Sequence, residues 1–139
     1  MAQTVREVMT ADPRTVDADD TIADTARLMR DEDVGAVIVL NGQRIEGIAT
    51  DRDIAVRAVA DGRDPQGTSI GEIASRDLVQ LAPDETVDRA VQLMRERSVR
   101  RLPVVDGDRP VGILSLGDLA VERDRGSALA DISSAQPNN

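Results

Sequence analysis

The spacing of hydrophobic residues switches between strand-like and helix-like patterns in the same order twice along the chain. In the second half, apolar runs at Leu102–Val105 and Val111–Leu114 are separated by an Asp106-Gly107 pair. Short β-branched runs joined by Asp-Gly are typical of a β-hairpin, and a helical pattern begins at Ser115. This stretch therefore predicts strand, turn, strand and helix.

The same succession occurs 65 residues earlier, where Asp53 corresponds to Asp118 and Asn41-Gly42 to the Asp-Gly pair of the second half. An alignment of residues 15–55 with residues 80–120 needs no gap and gives 13 identical pairs among 41. A repeat this regular indicates an internal duplication. The 139 residues therefore suit two similar halves that form one compact unit.

Each half also contains a long amphipathic helix, predicted near Asp19–Asp31 and over Val87–Met94. Asp20 or Thr21 is a suitable N-cap for the first of these helices. A shorter helix is predicted after each hairpin, over about Asp51–Ala60 in the first half. Short apolar or extended pieces precede the long helices: Val5–Met9, Thr15-Val16, Ile70–Ser75 and Val79–Leu81.

These elements predict an α+β fold of two pseudo-symmetric halves. Each half consists of a short strand followed by a helix, two strands and a second helix. The halves are expected to share a core, because about 60 residues alone bury too little surface to be stable. The predicted organisation is a first repeat at 5–62, a Gly- and Pro-rich linker at 63–69, a second repeat at 70–125 and a flexible polar tail at 126–139.

The composition excludes several kinds of active site. The sequence has no Cys, His or aromatic residue, and all its basic residues are Arg. A Ser-His-Asp triad, a thiolate nucleophile, a zinc finger and a lysine Schiff base are therefore excluded. Carboxylate–metal hydrolysis remains as the enzymatic alternative, but the acidic residues are dispersed and form no convergent cluster. We expect a protein that is not an enzyme and that holds no metal or cofactor.

The net charge of −9 argues against binding to polymeric nucleic acid, because such binding depends on a basic surface. A single nucleotide needs only a local arginine pocket. The N-terminal residues are too polar for a signal peptide, and no apolar run approaches the ~18 residues that a membrane span needs. We therefore expect a cytoplasmic protein without a membrane partner.

Each hairpin is followed by a motif that ends in an aspartate, GIATDRD at residues 47–53 and GILSLGD at residues 112–118. An ionised carboxylate accepts hydrogen bonds from two vicinal ribose hydroxyls, and the start of a helix favours a phosphate. The same residues also form capping boxes, in which Thr50 or Ser115 caps the helix and the aspartate bonds back to the cap. The motif alone is compatible with both roles.

These motifs resemble those of a tandem pair of cystathionine-β-synthase (CBS) domains, also called a Bateman module. The resemblance covers residues 5–123 and also includes Thr21-Ile22, Thr86-Val87 and SVRRLPVVDGD. The resemblance implies a regulatory module whose clefts between the repeats bind an adenosine-containing molecule. AMP is the first expectation, followed by ADP, ATP or an S-adenosyl compound. It also implies a homodimer that signals to an unidentified protein target. The alternative is a structural dimerisation scaffold whose clefts bind nothing.

The resemblance further implies which residues bind the ligand. The tighter cleft is expected to combine the end of the second hairpin with residues of the first repeat: Ile113, Ser115, Asp118, Arg100, Arg101, Val34, Gly35, Met9, Arg14 and Val16. The other cleft is expected to use Ile48, Thr50 and Asp53, with Arg52 as its local cation, because Gly35-Ala36 replace the arginine pair. A structural alternative for Arg100-Arg101 is a charged strand edge that discourages aggregation.

Overall fold

The computed structural model describes residues 3–76 and 79–123, so the predicted tail at 126–139 lies outside the described residues. Helices and strands alternate as the pattern predicts. The elements are α1 (Val5–Val8), β1 (Thr10–Ala11), β2 (Thr15–Asp17), α2 (Ile22–Glu32), β3 (Ala36–Asn41), β4 (Arg44–Thr50), α3 (Asp51–Asp53), α4 (Val87–Arg97), β5 (Arg101–Asp106), β6 (Arg109–Ser115) and α5 (Leu116–Arg123). A π-helical segment (Ile54–Val59) continues α3, and a 3₁₀ turn occupies Ile70–Glu72.

The chain divides into two compact units that do not coincide with the two sequence repeats. The first-hairpin unit contains residues 14–76, and the second-hairpin unit contains residues 3–13 together with 79–123. The leading segment of each repeat, residues 3–13 or 68–76, therefore belongs to the unit built on the hairpin of the other repeat. The duplication is preserved, but the leading segments are exchanged.

Backbone hydrogen bonds show this exchange at equivalent positions. The first amide of α4, at Val87, donates to the carbonyl of Gln3 at 3.0 Å, and the first amide of α2, at Ile22, donates to the carbonyl of Thr68 at 3.0 Å. These bonds satisfy helix-terminal donors that have no partner within the helix. The predicted linker is thus tied to the start of α2, since Pro65 also accepts from the amide of Ala23 at 2.9 Å.

Each unit contains a three-stranded sheet built on an antiparallel hairpin. The strand orders are β2-β3-β4 in the first-hairpin unit, where β2 is parallel to β3, and β1-β6-β5 in the second, where β1 is antiparallel to β6. Both hairpins carry a bulge at the same place, after Val39 and after Val104. Gly42 and Gly107 adopt φ of 65° and 68° at the turns, which explains why Gly follows Asn or Asp there.

The helices agree with the predicted pattern, with Thr21 as the N-cap of α2, where its hydroxyl accepts from the Asp24 amide at 3.0 Å. Two local features differ from prediction. The second helix of the first half is π-helical over most of its length, so the amide of Ala60 bonds to the carbonyl of Ala55. The extended piece Val79–Leu81 is reduced to a single bridge between Leu81 and Val104.

Each unit has its own cluster of buried side chains, and each cluster combines residues from both repeats. The second-hairpin cluster joins Val5 from the first repeat to Leu102 and Leu114 from the second. The first-hairpin cluster joins Ile70 and Ile73 of the second repeat to Val37, Val39 and Ala49 of the first. The expected sharing of core residues between the repeats is therefore achieved through the exchanged leading segments.

Two glycines provide the space in which the exchanged segments cross the hairpins. A Cβ added at Gly47 would overlap with the carbonyl oxygen of Ser75, which accepts from the amide of Ile48. A Cβ added at Gly112 would lie 2.5 Å from Sδ of Met9 and 2.9 Å from the carbonyl oxygen of Thr10. The glycine of each motif therefore permits close approach of the other repeat's leading segment.

Candidate functional site

The carboxylate of Asp118 lies where β6 passes into α5 and accepts two hydrogen bonds, and a third bond joins the Asp118 amide to Ser115. The amide of Ser115 donates to Oδ2 at 2.9 Å, and the amide of Asp118 donates to Oγ of Ser115 at 3.1 Å, which completes a capping box. The second oxygen, Oδ1, accepts from the hydroxyl of Thr10 at 3.2 Å. One oxygen of Asp118 therefore caps the helix while the other accepts a hydrogen bond from a hydroxyl group.

Asp53 repeats the capping arrangement at the end of the first hairpin. The amide of Thr50 donates to Oδ2 of Asp53 at 2.9 Å, and the amide of Asp53 donates to Oγ1 of Thr50 at 3.0 Å. The other oxygen, Oδ1, faces Nε of Arg57 at 3.9 Å instead of a hydroxyl group. The structural alternative of helix capping is thus confirmed for both aspartates, and their outer oxygens have different neighbours.

The two arginines of the second hairpin lie in different surroundings. Arg101 is half-buried and directly opposite Ser115 in the β5–β6 ladder, so the two side chains share one face of the sheet. Arg100 is exposed beside α4 and α5, and its carbonyl accepts from the amide of Leu116 at 2.9 Å. The structure therefore places Arg101 across the ladder from Ser115 and Arg100 beside the helices.

The remaining predicted residues divide between the two units. Ile113 and Met9 lie in the second-hairpin unit, where Ile113 pairs with Thr10. The first-hairpin unit contains Ile48, Arg52, Arg14, Val16, Val34 and Gly35. Nε of Arg14 donates to Glu32 at 2.7 Å, and the Gly35 carbonyl accepts from Asp51 at 3.0 Å. That residues of both units form one ligand cleft stays a prediction.

Two neighbours of the aspartates, Thr10 and Arg57, were not predicted from the sequence. Arg57 follows Asp53 by four positions, a spacing that places both side chains on one helix face, so the sequence carried a usable signal. Thr10 precedes Asp118 by 108 positions, and no local pattern connects them. Its position follows from the exchange of leading segments.

Two kinds of feature are absent from the described residues. Within residues 3–76 and 79–123, no group of three or more acidic residues is arranged to hold a metal ion. No helix among the described residues has the length and apolar character needed to cross a membrane.

The fold and its paired capped aspartates define a duplicated α+β module with exchanged leading segments. Residues 5–59 and 70–124 each match the CBS domain family. The chain therefore belongs to the CBS-domain proteins, as a tandem pair, and the resemblance noted from the motifs is confirmed.

Known proteins of this family include a bacterial relative and two similar solved structures. The chain is 44% identical over 133 residues to the CBS domain-containing protein YhcV of Bacillus subtilis, which covers 93% of this chain and 94% of the relative. The hexameric CBS-CP12 protein from bloom-forming cyanobacteria has a TM-score of 0.80 and 30% identity, covering 89% of this chain and 74% of that one. The CBS domain pair of protein MJ0100, in complex with 5′-methylthioadenosine and S-adenosyl-L-methionine, has a TM-score of 0.76 and 25% identity, covering 86% of this chain and 94% of that one.

Proposed function

We propose that this protein is a non-enzymatic regulatory module that binds an adenine nucleotide or a related adenosyl compound. The observation that carries the proposal is the hydrogen bond from the hydroxyl of Thr10 to Oδ1 of Asp118. Because Oδ2 is already bonded to the helix start, Oδ1 is the oxygen that a ribose hydroxyl of a ligand would meet in place of Thr10. The adenosyl ligands of the similar MJ0100 pair support this ligand class.

The charges around Asp118 fit a phosphorylated ligand. Arg101 lies across the ladder from Ser115, and its guanidinium group provides a two-pronged donor for phosphate oxygens. The first turn of α5 begins at the same position, and the positive end of a helix favours an anion there. The equivalent position in the first hairpin is Ala36, opposite Thr50, so the cleft at Asp53 lacks this cation. We therefore propose AMP as the first ligand and Asp118 as the aspartate of the tighter cleft.

The ligand would act by joining groups from the two repeats. A molecule that contacts both repeats stabilises one arrangement of the chain relative to others, which is the property a sensor requires. The signal would then pass to a partner copy or to a separate protein target. A scaffold whose clefts bind nothing is the alternative, favoured by the absence of a hairpin cation beside Asp53.

Addition of AMP is expected to raise the melting temperature. At a ligand concentration 100 times the dissociation constant, binding to one site stabilises the folded state by about 2.7 kcal/mol. For a chain of this size that is a shift of roughly 5–15 °C in thermal-shift fluorescence. ADP, ATP, S-adenosylmethionine and NADH complete the panel, and GMP is the control for the base. If no adenosyl compound at millimolar concentration changes the melting temperature, the alternative of a scaffold whose clefts bind nothing is favoured.

The protein is also proposed to be a homodimer in solution. The exposed large apolar side chains of the described residues, Val56, Val59 and Leu116, all lie on helices, and a second copy would cover them. The hexameric state of the similar CBS-CP12 protein is consistent with association through this fold. Light scattering at tens of micromolar should give twice the chain mass of 14.9 kDa. A mass of one chain at that concentration contradicts this prediction.

A further inference from the structure

The methionines are the side chains of this sequence that oxidants attack most readily. The chain contains no Cys, His, Trp, Tyr or Phe, so no thiol or aromatic ring competes with a thioether for an oxidant. Met29 and Met94 are buried, with 6% and 5% of their surface exposed, whereas Met9 is only partly buried. Among the described methionines, Met9 is therefore the one that an oxidant reaches most easily.

The thioether of Met9 fills a notch in strand β6. Its Sδ lies 2.5 Å and its Cγ 3.0 Å from the position that a Cβ on Gly112 would occupy. Met9 also packs against the second-hairpin cluster, which includes Leu102 and Leu114. The sulfur therefore lies against the backbone of the hairpin, and an atom added between it and Gly112 would overlap with one of them.

The segment that follows Met9 is held to the hairpin by a short ladder. Strand β1 contains two residues, of which Thr10 pairs with Ile113. The amide of Asp12, just beyond the strand, donates to the carbonyl of Val111 at 3.3 Å. The contact between Met9 and the hairpin is thus next in the chain to a strand that has few bonds of its own.

We propose that Met9 is a site of reversible oxidation by hydroperoxides and that its sulfoxide releases strand β1 from β6. In this reaction the electron pair of Sδ attacks one oxygen of the hydroperoxide, the O–O bond breaks and an S–O bond forms. The sulfur loses two electrons, and the proton of the transferred oxygen passes to the leaving oxygen, which departs as water or an alcohol. Sulfoxide reductases reverse the change with electrons from a dithiol.

The sulfoxide fits the notch worse than the thioether does. Its added oxygen overlaps with Gly112 or lies as an unpaired polar atom among apolar side chains, and both costs favour separation of Met9 from β6. Thr10 moves with its neighbour, so Oδ1 of Asp118 loses the hydroxyl from which it accepts. Oxidation of Met9 thereby changes the surroundings of the aspartate that ends the second motif.

Hydrogen peroxide added to the folded chain provides the first test. Peptide mass spectrometry should find the sulfoxide at Met9 before it appears at Met29 or Met94. The oxidised protein should melt about 5 °C below the untreated protein, because the added oxygen acts as an overpacking substitution. Treatment with sulfoxide reductases for both epimers and dithiothreitol should restore the original melting temperature.

Met9→Leu tests whether this methionine carries the effect. Leucine has a similar volume and no sulfur, so the variant should melt near the parent temperature and should keep that temperature after peroxide treatment. Met94→Leu is the matched control, because it removes a buried methionine from the same unit and retains Met9. This control should lose stability on oxidation as the parent chain does.

Hydrogen–deuterium exchange locates the change within the chain. After oxidation, residues 10–12 should exchange faster in the parent chain and not in Met9→Leu, while the hairpin of β3 and β4 stays unchanged. The proposal is overturned if Met9→Leu loses as much stability under peroxide as the parent, or if Met29 and Met94 are oxidised before Met9. It is also overturned if the sulfoxide at Met9 leaves the melting temperature and the exchange unchanged. None of these measurements uses a nucleotide, so their outcome is independent of the proposed ligand function.

Discussion

Replacing Gly47 with alanine is expected to destabilise the protein by about 3 kcal/mol, at the upper end of the usual cost of overpacking. The added Cβ would overlap with the carbonyl oxygen of Ser75, and backbone cannot rotate away as a side chain can. The bridge between Ile48 and Ser75, whose two hydrogen bonds are 3.1 and 2.9 Å, would have to open. Thermal denaturation followed by circular dichroism should show a decrease of about 10 °C in the melting temperature.

Gly117→Ala is the matched control for this substitution. The nearest atom to a Cβ at Gly117 is Oγ of Ser115 at 3.6 Å, which is an ordinary contact. Because Gly117 lies in α5 and alanine has the higher helix propensity, this variant should melt at or slightly above the parent temperature. Equal melting temperatures for the two variants would show that the close approach at Gly47 does not constrain the fold.

Asp118→Ala is expected to lower the affinity for AMP about ten- to hundredfold. The substitution removes an ionised acceptor, and a hydrogen bond to a charged group contributes about 1.5–3 kcal/mol. Arg101→Ala should have a similar effect, because it removes the proposed donor to the phosphate. Isothermal titration calorimetry with AMP measures both, and adenosine without phosphate should be affected much less by the loss of Arg101.

Asp53→Ala is the control, because it removes the same kind of capping bonds from the other half of the chain. We expect it to change AMP affinity little, since the cleft at Asp53 has Ala36 where the second hairpin has Arg101. If Asp53→Ala is the damaging substitution, or if Arg101→Ala leaves the affinity unchanged, the assignment of the tighter cleft is wrong. Arg52 or a helix N-terminus would then be the candidate phosphate contact.

The hairpins and long helices were predictable because each depends on neighbouring residues. Asn41-Gly42 specifies a turn with positive φ at the glycine, and Thr21 caps α2 through the amide three positions later. The capping role of Asp53 was likewise visible in its spacing from Thr50. Features set by interactions over three to five residues were therefore accessible from the sequence.

The pairing of the leading segments was not predictable in the same way. Strand β1 contains two residues, and the other leading segment meets its hairpin through the single bridge between Ser75 and Ile48, which is too little for either pattern to specify a partner. The partner of each leading segment depends on which hairpin has a glycine and an apolar face against which the segment can pack. For the same reason, the bond between Thr10 and Asp118 had no signature in the sequence. The π-helical hydrogen bonding of Ile54–Val59 also has no compositional signal, since its residues are ordinary for an α-helix.

The exchange of leading segments has a consequence for how the chain forms during synthesis. Residues 14–76 contain the whole buried cluster of the first-hairpin unit, so its contacts can begin to form while the ribosome is still translating the second repeat. Thr10 leaves the ribosome earlier but pairs with Ile113, about a hundred residues further along the chain. The first residues made are therefore among the last to fold, and this long loop closure is expected to be the slow step of folding.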